Sequence, residues 1–448
     1  FASLGVATAL LAVLRSARRE RHGNGIASTQ FRPILVASDL KTDGSTASII
    51  KPRRILIAHE QHLQRVGSDT RLLALMTTLR ELGAEVSLLV RTSKCNNCTR
   101  SPPTAVLRKS FNIFEYGGSH ALAALLDASA FDLVLVGLWF WYDPQPSFAE
   151  LLLPVLRAHA DGGGGPLVAL LSDDAHAPRA RRLAHEEYDS SRERAYLTQA
   201  TNLGLRQRAL FSAVDGVFYL TAMDRDAEKE LLPLNAPIHV GLLRMAVAPG
   251  GVPPLLGAAT REPPSSSSES EVLLGFVGDG HTATNALGIR RFVREGWPIL
   301  RKAWPHARLR IVGRPPTGHR AGKRERLGGK DAPCNATTET RCGWAAATQC
   351  ARKPALACGI DSLGYLSDVE LHTEASKWRL MLVPIFATTG ANTKLLLGLQ
   401  LGLPIVSTTA AAMPFDLVSN ANSTTDAAAA LGSTPQQLAE RAAALLSD

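Results

Sequence analysis

The sequence predicts an α/β protein built from two doubly wound domains. Three observations support this prediction. Short apolar runs, typical of buried strands, alternate with helical patterns along most of the chain. A Pro-, Gly- and Ser-rich segment at 248–270 divides the pattern into two halves. Each half repeats the order strand, loop, helix, strand, which is the unit from which parallel sheets with helices on both faces are built.

Composition agrees with a globular protein of this size. The chain has 448 residues, of which 45% are apolar and 20% charged, so it can build two or three cores and wholesale disorder is excluded. The net charge is +9, but the basic residues are dispersed and no nucleic-acid motif accompanies them. We therefore expect no nucleic-acid partner, and only a mild preference for anionic ligands such as phosphates.

The first half opens with the apolar strand RRILIAHE at 53–60. A helix capped by Ser68 or Asp69 and ended by Gly83 is expected next, followed by a strand at 85–90. Another strand, FDLVLVG, precedes four aromatic residues at 139–142. These are expected to pack at the core or rim, with an acceptor platform as the alternative.

A polar turn, SDDAHAPR, follows the apolar run PLVALLS in this half. Ligands of open α/β sheets collect at the carboxyl ends of strands, so Asp173, Asp174 and His176 are placed where chemistry is expected. A carboxylate and a histidine could supply a general base and its orienting partner. The alternative is structural, because Asp-rich turns also cap helices and ARRLAHEE resembles a helix that starts here.

The second half repeats the pattern with the strand EVLLGFVGDG, a helix broken or restarted at Pro298, and the strand ARLRIVG. Residues 314–358 lack periodicity and form a long insertion. A helix capped by Ser367 or Asp368 follows, and the chain ends in an Ala-rich amphipathic helix.

The stretch LMLVPIFATTGANTKLLLGLQLGLPIVST, residues 380–408, reads as strand, loop, helix and strand. The first N–H groups of a helix lack intrahelical partners and carry partial positive charge, so such a loop suits an anion. An ordinary βαβ turn is the alternative.

Several motifs carry a resemblance to a known family. In the second half they are Phe276, Gly278, Asn285, Trp297, Pro298, Pro305, Ala307, Leu309 and Gly313, then Gly364 and Asp368, then Gly390, Lys394, Leu396, Leu399, Gly402, Pro404 and Val406. In the first half they are Gly67, Arg71, Asp174 and His176. In their order and spacing these residues resemble the family 4 glycosyltransferases of the GT-B fold, over residues 53–417 apart from the insertion.

The resemblance implies two Rossmann-like domains facing a cleft and a metal-independent transferase that needs no cofactor. It would move a sugar from a nucleotide sugar to a glycan, lipid or protein acceptor. By carry-over, the backbone of Thr388, Thr389, Gly390, Ala391 and Asn392 would cradle the donor. Lys394 would offset phosphate charge, and Gly67 and Gly278 would let their loops approach the same phosphates.

Three positions depart from the family pattern. Leu397 stands where a Glu usually holds the donor ribose, and Asn392 stands where Arg or Lys is common. Asp279 lies near the usual position of a basic phosphate contact. Leu397 motivates an alternative function, a non-catalytic GT-B relative that binds sugar or a protein partner. A nucleotide-sugar epimerase of the same shape is a further alternative.

The predicted organisation has five parts. These are a leader and linker at 1–48, an acceptor-side domain at 49–247, an interdomain linker at 248–270, a nucleotide-sugar-binding domain at 271–430 with the insertion 314–358, and a C-terminal helix at 431–448. Residues 1–14 are almost wholly apolar and are followed by RSARRERH. They are read as the remainder of a signal sequence, a membrane anchor or a transit segment, which leaves membrane association open.

The cysteines indicate a compartment. Six cysteines occur at 95, 98, 334, 342, 350 and 358, and N-x-S/T motifs begin at Asn97, Asn335 and Asn422. An even number at short spacings together with glycosylation motifs favours disulfides in the secretory pathway, the ER or Golgi lumen. A plastid or another organelle is the alternative location. A four-cysteine zinc site is disfavoured because the spacing of eight exceeds that of the usual zinc knuckle.

Overall fold

The computed structural model describes most of the two predicted halves. The described residues are 54–60, 67–91, 108–138, 146–161, 165–233, 238–243, 271–280, 282–313, 359–415 and 429–447. They form two compact units, the first drawn from 1–178 and 198–251 and the second from 179–197 and 252–448. Residues 179–197 thus group with the second unit, although the sequence alone placed them inside the first domain.

The first unit contains a parallel sheet of seven strands in the order β3-β2-β1-β4-β5-β6-β7. The strands are β1 (Arg54–His59), β2 (Glu85–Arg91), β3 (Asn112–Tyr116), β4 (Leu133–Leu138), β5 (Leu167–Ser172), β6 (Gly216–Tyr219) and β7 (His239–Leu242). Nearly every residue of β1, β2, β4, β5 and β6 is buried. Burial of consecutive residues follows from helices covering both faces of a parallel sheet.

Six helices are described between Gly67 and Glu228. They are α1 (Gly67–Glu81), α2 (Ser119–Ala128), α3 (Phe148–Asp161), α4 (His176–Glu186), α5 (Ser190–Ser212) and α6 (Ala222–Glu228). Helix α1 begins one residue before the predicted cap, so Ser68 and Asp69 lie in its first turn rather than ahead of it. Acidic residues are favoured in the first turn of a helix as well as at its cap, so local sequence does not distinguish the two positions. Gly83 follows the helix with φ of 84°, as predicted.

The second unit contains a parallel sheet of six strands in the order β10-β9-β8-β11-β12-β13. The strands are β8 (Val272–Val277), β9 (Ala307–Val312), β10 (Ile360–Gly364), β11 (Leu380–Val383), β12 (Ile405–Thr408) and β13 (Ala429–Gly432). The helices are α7 (Ala283–Glu295), α8 (Trp297–Ala303), α9 (Asp368–Ala375), α10 (Thr393–Gln400), α11 (Thr409–Ala412) and α12 (Pro435–Ser447).

Local sequence signals set several helix ends in this unit. Helix α7 ends before Gly296 and α8 begins with Pro298 in its first turn, which confirms the predicted restart at this proline. Ser367 caps α9 in a reciprocal capping box with Glu370. One side of the sheet is covered by α12, whose Leu438 and Ala442 are fully buried in the core of the unit.

Both sheets reverse their strand order beside the first strand of the unit, between β1 and β4 and between β8 and β11. The carboxyl ends of the strands flanking such a reversal form the usual ligand crevice of doubly wound sheets. The predicted fold class, two Rossmann-like α/β domains, is confirmed.

Several sequence predictions fall outside the described residues. They concern the leader 1–48, the aromatic residues 139–142, the linker 248–270, the insertion 314–358, all six cysteines and the three N-x-S/T motifs. Among the described helices, none is both long enough and apolar enough to cross a membrane.

Candidate functional site

Gly278 follows β8 at the reversal point of the second sheet, and its surroundings leave no room for a side chain. A Cβ built on Gly278 would lie 2.8 Å from Phe276 Cζ, 3.0 Å from Asn285 Nδ2 and 3.0 Å from Lys394 Cε. The turn is held by Asn285, whose Nδ2 donates to the carbonyl of Asp279 at 2.9 Å. Glycine therefore brings the Lys394 stem against the backbone that leaves β8.

The loop after β11 leads into α10 on the other side of the same reversal point. Thr388, Thr389 and Asn392 are buried, with 4%, 8% and 8% of their surface exposed. Gly390 has φ of 71°, a left-handed conformation that a glycine adopts without strain. These residues were predicted to cradle the donor, and the structure brings them together with Ala391 in one turn at the start of a helix.

Asn392 has a structural role that the sequence analysis did not assign. It is the N-cap of α10, where its Oδ1 accepts from the backbone N–H of Lys394 at 3.2 Å. A cap of this kind stabilises a helix by about 1 kcal/mol relative to alanine. The capping geometry accounts for an asparagine at a position where the family commonly has a basic residue.

Lys394 lies in the first turn of α10 and is half-buried. Burial lowers the pKa of its ammonium group to about 8, and among the described residues no carboxylate offsets that effect. At neutral pH most of the ammonium groups are still charged. This charge is desolvated and lies near the N-terminus of α10, which is the positive end of the helix. An anion bound there would be stabilised by the ammonium and by the helix N-terminus, because both are positive.

The predicted acceptor-side residues lie in the first unit, at the carboxyl end of β5. Asp173 and Asp174 are buried, each with 9% of its surface exposed, and His176 begins α4 with 1% exposed. The turn is tied to β5 through Ser172, whose hydroxyl lies 3.4 Å from the carbonyl of Asp174. The structure thus brings the three predicted residues into one buried turn.

The protonation state of His176 follows from its contacts. Its Nε2 lies 3.2 Å from the carbonyl of Leu138, the last residue of β4, and a carbonyl can only accept. Burial lowers the pKa of His176 to about 4, while the Leu138 carbonyl and the charge of Asp173 oppose the shift. At neutral pH the imidazole is neutral, with its proton on Nε2.

Comparison with known proteins gives a family match within the second unit. Residues 271–448 match the family model described as glycosyl transferases group 1. This part of the chain is therefore similar to group 1 glycosyltransferases. A search of curated proteins finds no significant match.

Solved structures support the fold over both units. The chain resembles HepE from Anabaena, crystallised with UDP and glucose, at a TM-score of 0.52 and 12% identity, covering 88% of this chain and 90% of that one. It also resembles a glycosyltransferase from Rickettsia africae at a TM-score of 0.53 and 9% identity, covering 89% of each chain. The fold is therefore that of GT-B glycosyltransferases, and the predicted resemblance is confirmed for the group 1 glycosyltransferases and the GT-B fold.

Arg182 contacts the loop before α10, which the sequence did not predict. Its guanidinium, carried by α4, donates to the backbone carbonyl of Thr388 in the loop before α10. Leu183, on the same helix, packs with Leu287 and Ala387 in a small apolar cluster. No sequence signal links residues about two hundred positions apart, since this contact exists only after folding.

Glu60 is a second residue without a predicted role. It follows β1, and 5% of its surface is exposed. Its carboxylate accepts from Arg91 Nη1 at 2.6 Å and from the backbone N–H of Phe148 at 2.6 Å. Burial raises the pKa of Glu60, although both hydrogen bonds oppose this. Its position directly after an apolar strand was the only available signal.

The remaining positions are consistent with simple packing. Leu397, where the family usually has a Glu, is partly buried against the core of the glycosyltransferase domain. The backbone carbonyl of Asp279 accepts from Asn285 and from the N–H of Thr282 at 3.1 Å. Gly67 is the first residue of α1.

Among the described residues, no group of three His, Cys, Asp or Glu side chains could hold a metal ion.

Proposed function

We propose that this glycosyltransferase uses a UDP-sugar as its donor and binds the diphosphate at the start of α10. The observation that carries the proposal is Lys394, a desolvated ammonium without a carboxylate partner among the described residues, set against Gly278 at the reversal point of the sheet. UDP as the nucleotide is supported by HepE, which has the same fold and was crystallised with UDP and glucose.

In this proposal the loop and Lys394 stabilise the departing group. Transfer breaks the bond between the anomeric carbon of the sugar and the β-phosphate oxygen, and the bond electrons remain on UDP. The negative charge that develops there is stabilised by the N–H groups of 388–392 and by the ammonium of Lys394. Gly278 allows the close approach, since a Cβ at that position would displace the lysine.

A new bond then forms from the anomeric carbon to an acceptor oxygen, whose proton must be removed. Asp173, Asp174 and His176 are the proposed acceptor-side residues. A pKa of about 4 makes His176 a weak base at neutral pH, so an inverting reaction is better served by one of the two carboxylates, with His176 as a neutral orienting group. In a retaining reaction, assistance to the leaving group by Lys394 carries more of the catalysis.

The decisive experiment measures binding of UDP, UDP-glucose and the corresponding GDP compounds by calorimetry, with wild-type protein and Lys394→Ala. We expect UDP compounds to bind and the variant to lose about tenfold or more in affinity, because a charge-assisted contact is removed. The matched control is Lys377→Ala, which removes an exposed lysine of the same unit that pairs with Glu374 at 3.4 Å. Unchanged affinity in Lys394→Ala would remove this lysine from the site.

Absence of binding by every nucleotide sugar would contradict transferase activity. It would favour a non-catalytic GT-B relative, the alternative suggested by Leu397. The acceptor class, glycan, lipid or protein, is to be found by product analysis once a donor is known.

We further propose a family 4 enzyme that works in the ER or Golgi lumen as a disulfide-bonded glycoprotein, and whose N-terminal segment associates with the membrane. The support is the even cysteine count and the three N-x-S/T motifs. Intact mass before and after deglycosylation, with thiol counting, tests it. Six free thiols without glycan would contradict the lumenal location and leave a plastid or another organelle as the alternative.

A further inference from the structure

A cluster of buried polar side chains is hydrogen-bonded to the turn that carries Asp173, Asp174 and His176. None of its members has a role in the proposed reaction. Its centre is Glu228, the last residue of α6, which is 0% exposed. The other members are fully or almost fully buried as well. They are Ser172, Gln207, Tyr219, Thr221 and Asp224. Ser172 and Tyr219 end neighbouring strands and are register partners, so the cluster sits at the carboxyl edge of the first sheet.

Two hydrogen-bond paths lead from Glu228 to the turn. Glu228 Oε1 accepts from Gln207 Nε2 at 2.6 Å, and Gln207 Oε1 accepts from the backbone N–H of Ala177 at 3.2 Å. On the other side, Glu228 Oε2 lies 3.3 Å from the Ser172 hydroxyl, which lies 3.4 Å from the carbonyl of Asp174. The carboxyl group is thus connected to both ends of the segment that carries Asp174 and His176.

Hydrogen counting favours a protonated Glu228. The Ser172 hydroxyl has one hydrogen and two acceptors within reach, the carboxyl oxygen and the Asp174 carbonyl. If Glu228 is neutral, its O–H donates to Ser172 Oγ, and Ser172 donates to Asp174, so each oxygen is satisfied. If Glu228 is ionised, its carboxylate and the Asp174 carbonyl compete for the single Ser172 hydrogen.

The electrostatic surroundings agree with this assignment. Burial is the main reason why the pKa of Glu228 is raised to about 8, and the charge of Asp224 adds to the effect, whereas hydrogen bonds from Gln207 and Ser172 oppose it. Among the described residues no Lys or Arg forms an ion pair with Glu228. Tyr219 keeps its proton, because burial raises its pKa and the charge of Asp224 adds to that effect.

We propose that Glu228 is a positioning residue: as a neutral acid it fixes the turn bearing Asp173, Asp174 and His176 through Ser172 and Gln207. Loss of its proton releases the turn. The link to the acceptor rests on the proposed function, whereas the hydrogen-bonded geometry is independent of it. Above about pH 8 the turn should therefore loosen, whether or not a donor is bound to the second unit.

The direct test is hydrogen exchange of peptides covering 172–178, measured by mass spectrometry at about pH 6 and about pH 9 and corrected for intrinsic rates. In wild-type protein we expect protection to fall roughly tenfold across this range. Glu228→Gln keeps the shape and a donor for Ser172, so its protection should be independent of pH. Glu228→Ala and Ser172→Ala should be weakly protected at both values, and Glu230→Gln, at an exposed position in the same region, is the matched control.

An activity readout separates positioning from a structural defect. With saturating UDP-glucose as the probe, turnover of donor by Glu228→Gln should decline less above pH 8 than wild-type turnover, and at each pH all variants should have the UDP affinity of wild-type protein at that pH. Protection in wild-type protein that does not change between the two pH values, or is lost in Glu228→Gln, would overturn the proposal. Failure of UDP to bind wild-type protein would instead overturn the proposed donor site.

Discussion

The chemical character of Lys394 is set by its surroundings. Its stem passes the backbone at Gly278, and its ammonium is desolvated beside the N-terminus of α10. Burial without a counter-ion is unfavourable for the folded protein, since the charged form loses hydration. Residues held at such a cost commonly serve binding or catalysis, because a ligand of opposite charge recovers the lost energy.

This environment predicts that UDP binding depends on pH. The pKa of Lys394 is lowered to about 8 in the free protein, so the charged form that attracts the diphosphate is present below that value and is lost as pH rises through it. The affinity for UDP should fall by up to about tenfold per pH unit above about pH 8, because binding favours the protonated form. Calorimetry across this range measures the effect.

Lys394→Met is the matched variant for this prediction, since it keeps the unbranched stem and removes the charge. Its weaker affinity should not change with pH in this window. A wild-type affinity that stays constant up to about pH 10 would assign the diphosphate contact to other groups.

At the scale of elements, the loop between β11 and α10 is ordered by contacts from both of its ends and from outside. Asn392 caps the helix, and Thr408 Oγ1 donates to the carbonyl of Ile385 at 2.6 Å. Helix α7 approaches so closely that a Cβ on Gly288 would lie 2.1 Å from the carbonyl of Pro384. Arg182 adds the contact to Thr388. A loop held at several points loses little conformational entropy when a ligand binds to it.

Arg182→Ala should weaken this order. The buried Thr388 carbonyl would lose its hydrogen bond from the guanidinium, which destabilises the loop by about 1–3 kcal/mol. The main effect should be weaker binding of the nucleotide sugar. We expect a rise of about 5- to 50-fold in KM for the donor with a smaller change in kcat. Arg181→Ala, at the exposed neighbouring position of α4, is the control and should behave as wild type. Equal effects of both variants would contradict a specific role for Arg182.

At the scale of the whole molecule, the described residues form two sheets of the same winding order, and each unit has a core of its own. Residues such as Ile57, Leu88 and Leu135 form one core, and Phe276, Ile311 and Trp378 belong to the other. Segment 179–197 adds to the second unit through the ion pair of Glu186 with Arg291 and through the Tyr188 hydroxyl, which donates to Glu295 at 2.6 Å. The second unit is therefore assembled from two separate stretches of the chain.

This organisation predicts where UDP protects the chain from hydrogen exchange. We expect added UDP to slow exchange most at 276–282 and 385–395, on the two sides of the reversal point of the second sheet, because bound ligand suppresses local opening. Mass spectrometry of the full chain measures this, with Lys394→Ala as the control that should show little change. Protection confined to the first unit would contradict the proposed donor site.

The sequence alone was sufficient for features that depend on neighbouring residues. The strands around Leu56 and Leu274 were visible as apolar runs, and the ends of helices were visible at Gly83, Pro298 and Ser367, because propensity and capping act over a few positions. The loop between a strand and a helix at 384–392 was visible for the same reason, and its donor-binding role stays a prediction.

Only the tertiary structure decided which distant groups meet. Arg182 reaches Thr388, Glu228 reaches Ser172 and Gln207, and segment 179–197 joins the second unit. The desolvation that lowers the pKa of Lys394 and of His176, and raises that of Glu228, also arises only when the chain is packed. Local sequence therefore determined the elements and the candidate loops. The partners and charge states came from folding, because burial and long-range contact are properties of the packed chain.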